Sequence, residues 1–315
     1  MKAGVTMKYK DWLKDWLEHY VKPTVKDKTY TRYAEVVRLH LIPALGEYEL
    51  SDLKPIVLQR YVTELTQSGN LKTGKGLSAN SVNGILIVIR GSLTTAHNIG
   101  LTDELIVGKI KRPRNEEKAV ECFTVSEQKQ IEQAVFADKR DKMIGVVLCL
   151  YTGLRLGELL ALEWTDVDLS RGELTVSKSC HDGKDENGNY CRITGAPKTN
   201  SSKRTIPIPK QLIPHLREVK KRSVCDHVIA NGNKPVTVRS YQRSFDLLQQ
   251  KIKIPHHGFH ALRHTFATRA IECGMDVKSL SEILGHKDPT ITLKRYVHSL
   301  MEHKREYMNR LGKML

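Results

Sequence analysis

The chain has 315 residues, with 51 Lys and Arg against 35 Asp and Glu, so its formal net charge is +16. Such a basic excess suits a polyanion such as DNA better than a membrane surface, although solubility alone explains part of it. The cysteines include no C-x-x-C pair, and the longest apolar run is too short to span a bilayer. These features argue against a disulfide framework and a membrane span, and they favour a soluble, cytoplasmic protein of two domains.

Residues 1–110 predict a small all-helical bundle, because apolar residues recur there at helical spacing. The predicted helices are residues 8–20, a helix capped by Thr29 or Thr31 that runs towards Pro43, a helix capped by residues 50–53, and a helix from about Ser78 that ends before Gly100. Basic residues at helix starts, on polar faces and in a loop are candidates for DNA contact, although a solvated face explains each one alone: Lys28, Arg32, Lys72, Lys75 and Arg90.

Residues 111–121 predict a basic interdomain linker, because proline and charge interrupt the helical periodicity. The second domain then covers residues 122–315, and Thr124 with Glu127 predicts a capping box at its start. The linker residues that are candidates for crossing phosphates are Lys111, Arg112 and Arg114.

A buried-helix pattern near residues 143–151 stops at a Thr-Gly pair, so Arg155 emerges at a turn before a new helix over residues 156–164. The guanidinium of Arg155 either pairs with Glu158 at the edge of the core or takes part in a site. The residues alone leave both interpretations open.

Short strands follow. A strand over residues 174–178 leads to a predicted hairpin over about 180–194 with an Asn-Gly turn, and then to a tight turn before a strand ending near residue 208. Lys198 lies in that turn, with Lys203 as the alternative. Cys180 and Cys191 flank the hairpin and are close enough in sequence to meet across it, although reduced thiols are favoured. Two helices are predicted over residues 210–255, and the basic residues opening the second are candidates for phosphate contact: Arg239 and Arg243.

The last sixty residues carry the densest pattern. His260 and Arg263 are three apart on a predicted helix, so an imidazole and a guanidinium share a face and can converge on one phosphate. Gly285 follows an apolar helical pattern and predicts a left-handed helix end, which leaves His286 in a loop. A new helix beginning at Pro289 then places Thr292 and Tyr296 on one side.

The ordered set T-G-L-R-x-G-E at 152–158, H-x-x-R at 260–263, L-G-H at 284–286 and Tyr296 resembles the catalytic signature of the tyrosine recombinases, the phage integrase family. The resemblance is strong from about residue 120 to 300 and only general before that. It implies a mainly α fold with a small β-sheet, in which a helical core-binding domain clamps the DNA duplex beside an α+β catalytic domain.

The resemblance also implies the chemistry. A site-specific recombinase would integrate or excise a mobile element through a covalent 3′-phosphotyrosine. In this chemistry Arg155 and Arg263 bind the phosphate oxygens, and His286 is a further donor. Tyr296 is the nucleophile, and His260 is the base for the tyrosine proton or positions that proton. Lys198 protonates the departing 5′ oxygen, and Glu158 supports the catalytic residues.

No cofactor is expected. The tyrosine ester retains the energy of the broken bond, and the chain has neither a Walker loop nor a carboxylate cluster spaced for two metals. Zinc is an alternative for the crowded histidines at 256, 257, 260 and 264, but the glutamate of an H-E-x-x-H pair is missing and Arg263 brings a fixed positive charge.

The expected partner is double-stranded DNA at the element ends and the target site, in the cytoplasm of a prokaryote at the nucleoid, with no membrane. The family implies a dimer to tetramer on DNA, with a tail helix over about 299–315 docking onto a neighbouring protomer. The hairpin over 180–194 is predicted as a β-insertion that touches DNA or a partner subunit. Two alternatives remain: a type IB topoisomerase, and a non-catalytic DNA-binding regulator.

Overall fold

The structure is a computed structural model that describes residues 7–115, 120–184, 190–195, 203–286 and 288–296, and residues 305, 308, 309, 311 and 312. The chain divides into two compact units, Met1–Lys118 and Ala119–Leu315. Each unit has its own cluster of buried apolar side chains. The predicted fold class, mainly α with a small β component, is confirmed.

The N-terminal unit is a helical bundle. Its helices are α1 (Tyr9–Asp15), α2 (Asp27–Val36), α3 (Ile42–Leu45), α4 (Pro55–Ser68) and α5 (Ala79–Asn98). Helix α1 continues as a π-helical segment over Trp16–Val21, and α2 continues over Val37–Leu41 into α3. Two aromatic side chains of the core have polar partners: Tyr9 Oη lies 2.8 Å from Ser92 Oγ, and Trp12 Nε1 donates to the Ser92 carbonyl.

Two predicted helix starts in this unit are wrong. Helix α2 begins at Asp27, so Thr29 and Thr31 lie inside it, and the Thr31 hydroxyl donates back to the Asp27 carbonyl. The helix does run towards Pro43 as predicted, because α2 continues through Val37–Leu41 into α3, which carries Pro43 in its first turn. The segment 50–53 forms a short 3₁₀ turn, and α4 starts only at Pro55.

The helix start near Ser78 is as predicted, and the Ser78 hydroxyl caps α5 by accepting a hydrogen bond from the Ser81 N–H. In the described part of the chain, no helix combines the length and the apolar composition needed to cross a membrane.

The second unit is built from short helices around small antiparallel sheets. Its helices are α6 (Val125–Phe136), α7 (Ile144–Thr152), α8 (Leu156–Ala161), α9 (Ile213–Arg222), α10 (Val238–Ile252), α11 (His260–Glu272), α12 (Val277–Leu284) and α13 (Pro289–Tyr296). Its strands are β1 (Val167–Asp168), β2 (Glu173–Val176), β3 (Ser179–Lys184), β4 (Tyr190–Gly195), β5 (Arg204–Pro207), β6 (Ala230–Asn231) and β7 (Lys234–Pro235). Strands β1, β2 and β5 form one sheet in that order, β3 pairs with β4, and β6 pairs with β7.

The predicted capping box of α6 is present: the Thr124 hydroxyl accepts from the Glu127 N–H, and the Glu127 carboxylate accepts from the Thr124 N–H. Helix α8 is shorter than predicted. Its chain turns extended at Leu162, whose carbonyl accepts from the Val228 N–H, so tertiary pairing ends the helix early.

The hairpin of β3 and β4 forms as predicted, although its Asn-Gly turn lies outside the described residues. Cys180 stands opposite Thr194 and Cys191 opposite Gly183, so the two free thiols do not face each other across the ladder. The Asp182 carboxylate accepts hydrogen bonds from the N–H groups of Val238 and Arg239. The hairpin is thereby attached to the first turn of α10.

Candidate active site

The candidate site is organised around the C-terminal end of α12. Gly285 ends this helix in the left-handed conformation with φ +63°, as its sequence predicts. The N–H of His286 closes the helix end by donating to the Ser281 carbonyl. His286 therefore leaves the helix axis immediately after the last turn, and α13 starts three residues later at Pro289.

Arg263 approaches this helix end from α11. Arg263 is only 2% exposed to solvent, which is unusual for an arginine. One nitrogen, Nη1, donates to the Gly153 carbonyl over 2.7 Å, and Nη2 donates to the Leu284 carbonyl over 2.7 Å and lies 2.9 Å from His286 Nε2. The guanidinium thus ties together the end of α7, the end of α12 and the His286 ring.

The contacts of His286 fix its protonation pattern in this arrangement. A guanidinium only donates, so Nε2 accepts from Arg263, and Nδ1 carries the proton that it donates to Thr292 Oγ1 over 2.7 Å. Thr292 lies on α13 and is fully buried. The spacing in the sequence predicts Thr292 on the same side of this helix as Tyr296 and assigns it no role.

Arg155 lies on the turn before α8 and reaches the same helix end. Its Nη2 donates to the Gly285 carbonyl over 3.2 Å, and Nη1 donates to Glu158 Oε1 over 2.8 Å. The residues alone left open a pairing of Arg155 with Glu158 and a place in a site. The structure shows the pairing and also brings Arg155 to the helix end that Arg263 contacts. The side chain of Arg155 remains 37% exposed.

A third arginine, Arg204 at the start of β5, completes this cluster. Its guanidinium lies 2.8 Å from Glu158 Oε2 and 3.2 Å from Oε1, and its Nε donates to the Ile283 carbonyl. The sequence by itself assigned no role to Arg204. The signal that could have found it is its position two residues before the buried Ile206, because alternate residues of a strand lie on the same face. This alternation does not reveal which residue pairs with Arg204.

The Glu158 carboxylate is buried between two arginines. Burial by itself raises the pKa of this carboxyl, but the hydrogen bonds and charges of Arg204 and Arg155 outweigh that effect and hold its pKa below the usual range. Glu158 is therefore ionised at neutral pH. Arg263 at the same helix end brings a third guanidinium group, so the described part of the cluster keeps an excess of positive charge.

His260 is the first residue of α11, one turn before Arg263, and it is exposed. Its ring packs edge-on against His264, with 4.5 Å between ring centroids. Lys198 lies outside the described residues, whereas its alternative Lys203 is exposed immediately before β5. The structure describes the backbone of Tyr296 as the last residue of α13, and its side chain lies outside the described part. The roles of these residues stay predictions.

The ten candidate DNA-contact residues are all exposed. Within the described residues, none of them forms an ion pair with a carboxylate, so their charges are open to phosphate. They are Lys28, Arg32, Lys72, Lys75, Arg90, Lys111, Arg112, Arg114, Arg239 and Arg243. The N-terminal amides of α10, however, already bind Asp182, so contact near Arg239 and Arg243 would depend on their side chains.

The crowded histidines point to different partners. His256 pairs with Asp246, and His257 lies 3.4 Å from Glu121. Over the described ranges, no three His, Cys, Asp or Glu side chains are arranged to hold a metal ion.

Comparison with known proteins identifies the class of this chain. A model of the phage integrase family matches residues 122–303, and a model of the phage integrase N-terminal SAM-like domain matches residues 8–66. The first match alone covers more than half of the chain. The chain belongs to the phage integrase family, the tyrosine recombinases, and is thus a DNA-binding enzyme that transfers DNA strands.

Individual relatives agree with this assignment. A XerC-like tyrosine recombinase of Caldanaerobacter subterraneus is 30% identical over 89% of this chain and 81% of its own length. The ICEBs1 integrase of Bacillus subtilis is 26% identical over 76% of this chain and 67% of its own length. Among solved structures, the integrase of transposon Tn1549 in complex with a circular-intermediate DNA has the same fold, with a TM-score of 0.81 at 22% identity over 97% of this chain and all of that one.

Proposed function

We propose that this enzyme is a site-specific recombinase that integrates or excises a mobile element through a 3′-phosphotyrosine formed by Tyr296. The observation that carries the proposal is the meeting of Arg155, Arg263 and His286 at the end of α12, from which α13 leads directly to Tyr296. The similarity to the integrase of ICEBs1 supports a mobile element as the substrate.

The arginines would bind the scissile phosphate. A phosphodiester repels a nucleophile, and its negative charge grows in the five-coordinate transition state. Arg155 and Arg263 stabilise that charge with donors held in place before the substrate arrives. Arg155 is the more exposed of the two and can add a phosphate oxygen to its contacts, while His286 donates from Nε2 only when that nitrogen carries a proton.

The chemical step is a transesterification. The phenol oxygen of Tyr296 attacks phosphorus, the bond to the 5′ oxygen breaks, and a 3′-phosphotyrosine ester remains. His260 takes or positions the phenol proton, and Lys198, or Lys203 in its place, protonates the departing 5′ oxygen. A 5′ hydroxyl from the second DNA end then reverses the attack, so neither a nucleotide nor a divalent metal is consumed.

Joining two DNA ends requires two such sites, so a dimer to tetramer would assemble on DNA in the cytoplasm, at the nucleoid of a prokaryote. The proposed link is the tail helix over about 299–315 docking onto a neighbouring protomer. The described tail residues Met308 and Leu311 support it, because both are apolar and exposed.

A plasmid assay tests the proposal. Purified protein is incubated with a supercoiled plasmid carrying two candidate element ends, in EDTA and without ATP, with Tyr296→Phe as the control. Recombinant circles that require both ends and Tyr296 are expected. Relaxation that ignores the ends would indicate a type IB topoisomerase, and binding without any change of topology would indicate a regulator.

A further inference from the structure

Three arginines bind three successive carbonyl groups at the end of α12. Arg204 donates to the Ile283 carbonyl, Arg263 to that of Leu284 and Arg155 to that of Gly285. These carbonyls are the groups that a helix end leaves without intrahelical partners, and they carry the negative end of the helix dipole. The turn that presents His286 is therefore fixed by guanidinium groups from three other elements.

Arg204 differs from Arg155 in its exposure to solvent. Its side chain is 7% exposed, against 37% for Arg155. It forks onto both oxygens of Glu158, whose side chain is 3% exposed. Arg204 is thus enclosed by protein, with its guanidinium held by the Glu158 carboxylate and the Ile283 carbonyl.

Glu158 links Arg204 to Arg155. The carboxylate accepts from Arg155 Nη1 and from the Arg155 backbone N–H, and its remaining capacity is taken up by Arg204. A buried carboxylate draws in whatever cation is near, so without Arg204 the Arg155 side chain would be pulled towards Glu158 and away from solvent. Arg204 leaves the outer face of Arg155 available to the substrate.

We infer that Arg204 is a positioning residue for strand transfer: it fixes the Glu158 carboxylate and the end of α12, and thereby orients Arg155 and the His286 turn. This inference rests on the proposed function, because it assigns Arg204 an effect on the same phosphate-binding group. Lysine cannot replace it, since a single ammonium does not reach both Glu158 and the Ile283 carbonyl in a fixed fork.

The test is the rate of covalent adduct formation on a nicked duplex that wild-type protein cleaves, with either a normal or a methylphosphonate scissile position. Arg204→Ala slows adduct formation on the normal duplex by about a hundredfold, because Arg155 is misplaced. The methylphosphonate lacks one negative oxygen, so groups that stabilise charge matter less there. On the methylphosphonate duplex, the slowing of adduct formation by Arg204→Ala relative to wild type is therefore about tenfold smaller, and the slowing by Arg155→Ala is reduced in the same way.

Controls separate this effect from loss of fold. Arg217→Ala removes an exposed arginine that donates to the Leu169 carbonyl, and it leaves both rates unchanged. DNA affinity and melting temperature are measured for every variant. If Arg204→Ala does not fold, Arg204→Lys is compared on the same two duplexes. We expect it to slow adduct formation less than the alanine variant would, and to slow it less on the methylphosphonate duplex than on the normal one.

The outcomes are distinct. Equal slowing on both duplexes, or no slowing by either Arg204 variant, would overturn the inference and leave the proposed function intact. Absence of an adduct with wild-type protein on every candidate end would instead overturn the proposed function, and the inference with it.

Discussion

At the scale of single residues, the site depends on how charge is shared among buried groups. Glu158 stays ionised although burial opposes it, because Arg204 and Arg155 flank it. Arg263 is buried with its nitrogens on two carbonyl groups and the His286 ring. Each arginine serves protein structure first, and only Arg155 among the three keeps a substantial exposed surface.

Glu158→Gln tests this balance through the pH dependence of stability. The folded-state pKa of Glu158 lies below its ordinary value of 4.5, so the ionised carboxylate stabilises the fold at neutral pH. Loss of a buried partner lowers the free energy of unfolding by about 3 kcal/mol at pH 7. The difference in the free energy of unfolding between wild type and Glu158→Gln narrows as the pH falls below 4.5 and through the lowered folded-state pKa of Glu158. The reason is that the wild-type carboxylate becomes protonated over this range.

The measurement is urea unfolding of both proteins across that pH range. Glu218→Gln makes the same substitution in an exposed pair with Lys221 and changes stability little at any pH. A Glu158→Gln deficit that stayed constant down to strongly acidic pH would show that the charge of Glu158 does not matter.

At the scale of elements, two glycines in the left-handed conformation offer a matched comparison. Gly285 has φ +63°, and a Cβ there would lie 2.9 Å from Arg204 Nη1. Gly232 has φ +61°, and a Cβ there would meet nothing within 4 Å. Alanine at Gly232 therefore costs only the backbone strain, about 1 kcal/mol. Alanine at Gly285 costs more and slows DNA cleavage, because Arg204 has to move.

Unfolding and cleavage assays on the two alanine variants check this. Equal losses of stability, with cleavage unaffected in both, would mean that the end of α12 tolerates displacement of Arg204.

The helix ends that depend on local residues were predictable from the sequence. Ser78, Thr124 and Gly285 act through hydrogen bonds or backbone preferences within a few positions, and the predicted helix start near Ser78, capping box at Thr124 and helix end at Gly285 are confirmed. The early end of α8 was not predictable, because it depends on pairing with Val228 far along the chain.

The site shows the same limit. Its ordered motifs identified Arg155, Arg263 and His286 as candidates that the fold then brings together. Arg204 gave no comparable signal, because its importance comes from Glu158 and from the Ile283 carbonyl, which lie 46 and 79 positions away.

At the scale of the whole molecule, two separate cores predict two unfolding transitions. Leu58 is fully buried in the N-terminal unit and Leu159 in the second. Replacing either by alanine costs about 2–5 kcal/mol, and each lowers the melting temperature of one transition only. Calorimetry of the full chain measures this, and a single transition shifted by both variants would argue for one cooperative unit.

The exposed basic residues predict the salt dependence of DNA binding. If Arg239 and Arg243 contact phosphates, replacing each by Gln reduces the slope of log K against log salt by about 1. Lys22→Gln is the control, because Lys22 is exposed but paired with Glu18. Titrations of a labelled duplex at several salt concentrations give the slopes. Unchanged slopes would remove these two arginines from the DNA interface.

The central claim is that Tyr296 forms a covalent bond with DNA. The most direct measurement is an SDS-resistant adduct between purified protein and nicked duplexes carrying candidate element ends, followed by mapping of the modified peptide. Wild-type protein is expected to form the adduct at Tyr296, and Tyr296→Phe to bind the same DNA without forming it. Tight binding to a verified site with no adduct, or an adduct that persists in Tyr296→Phe, would contradict the account.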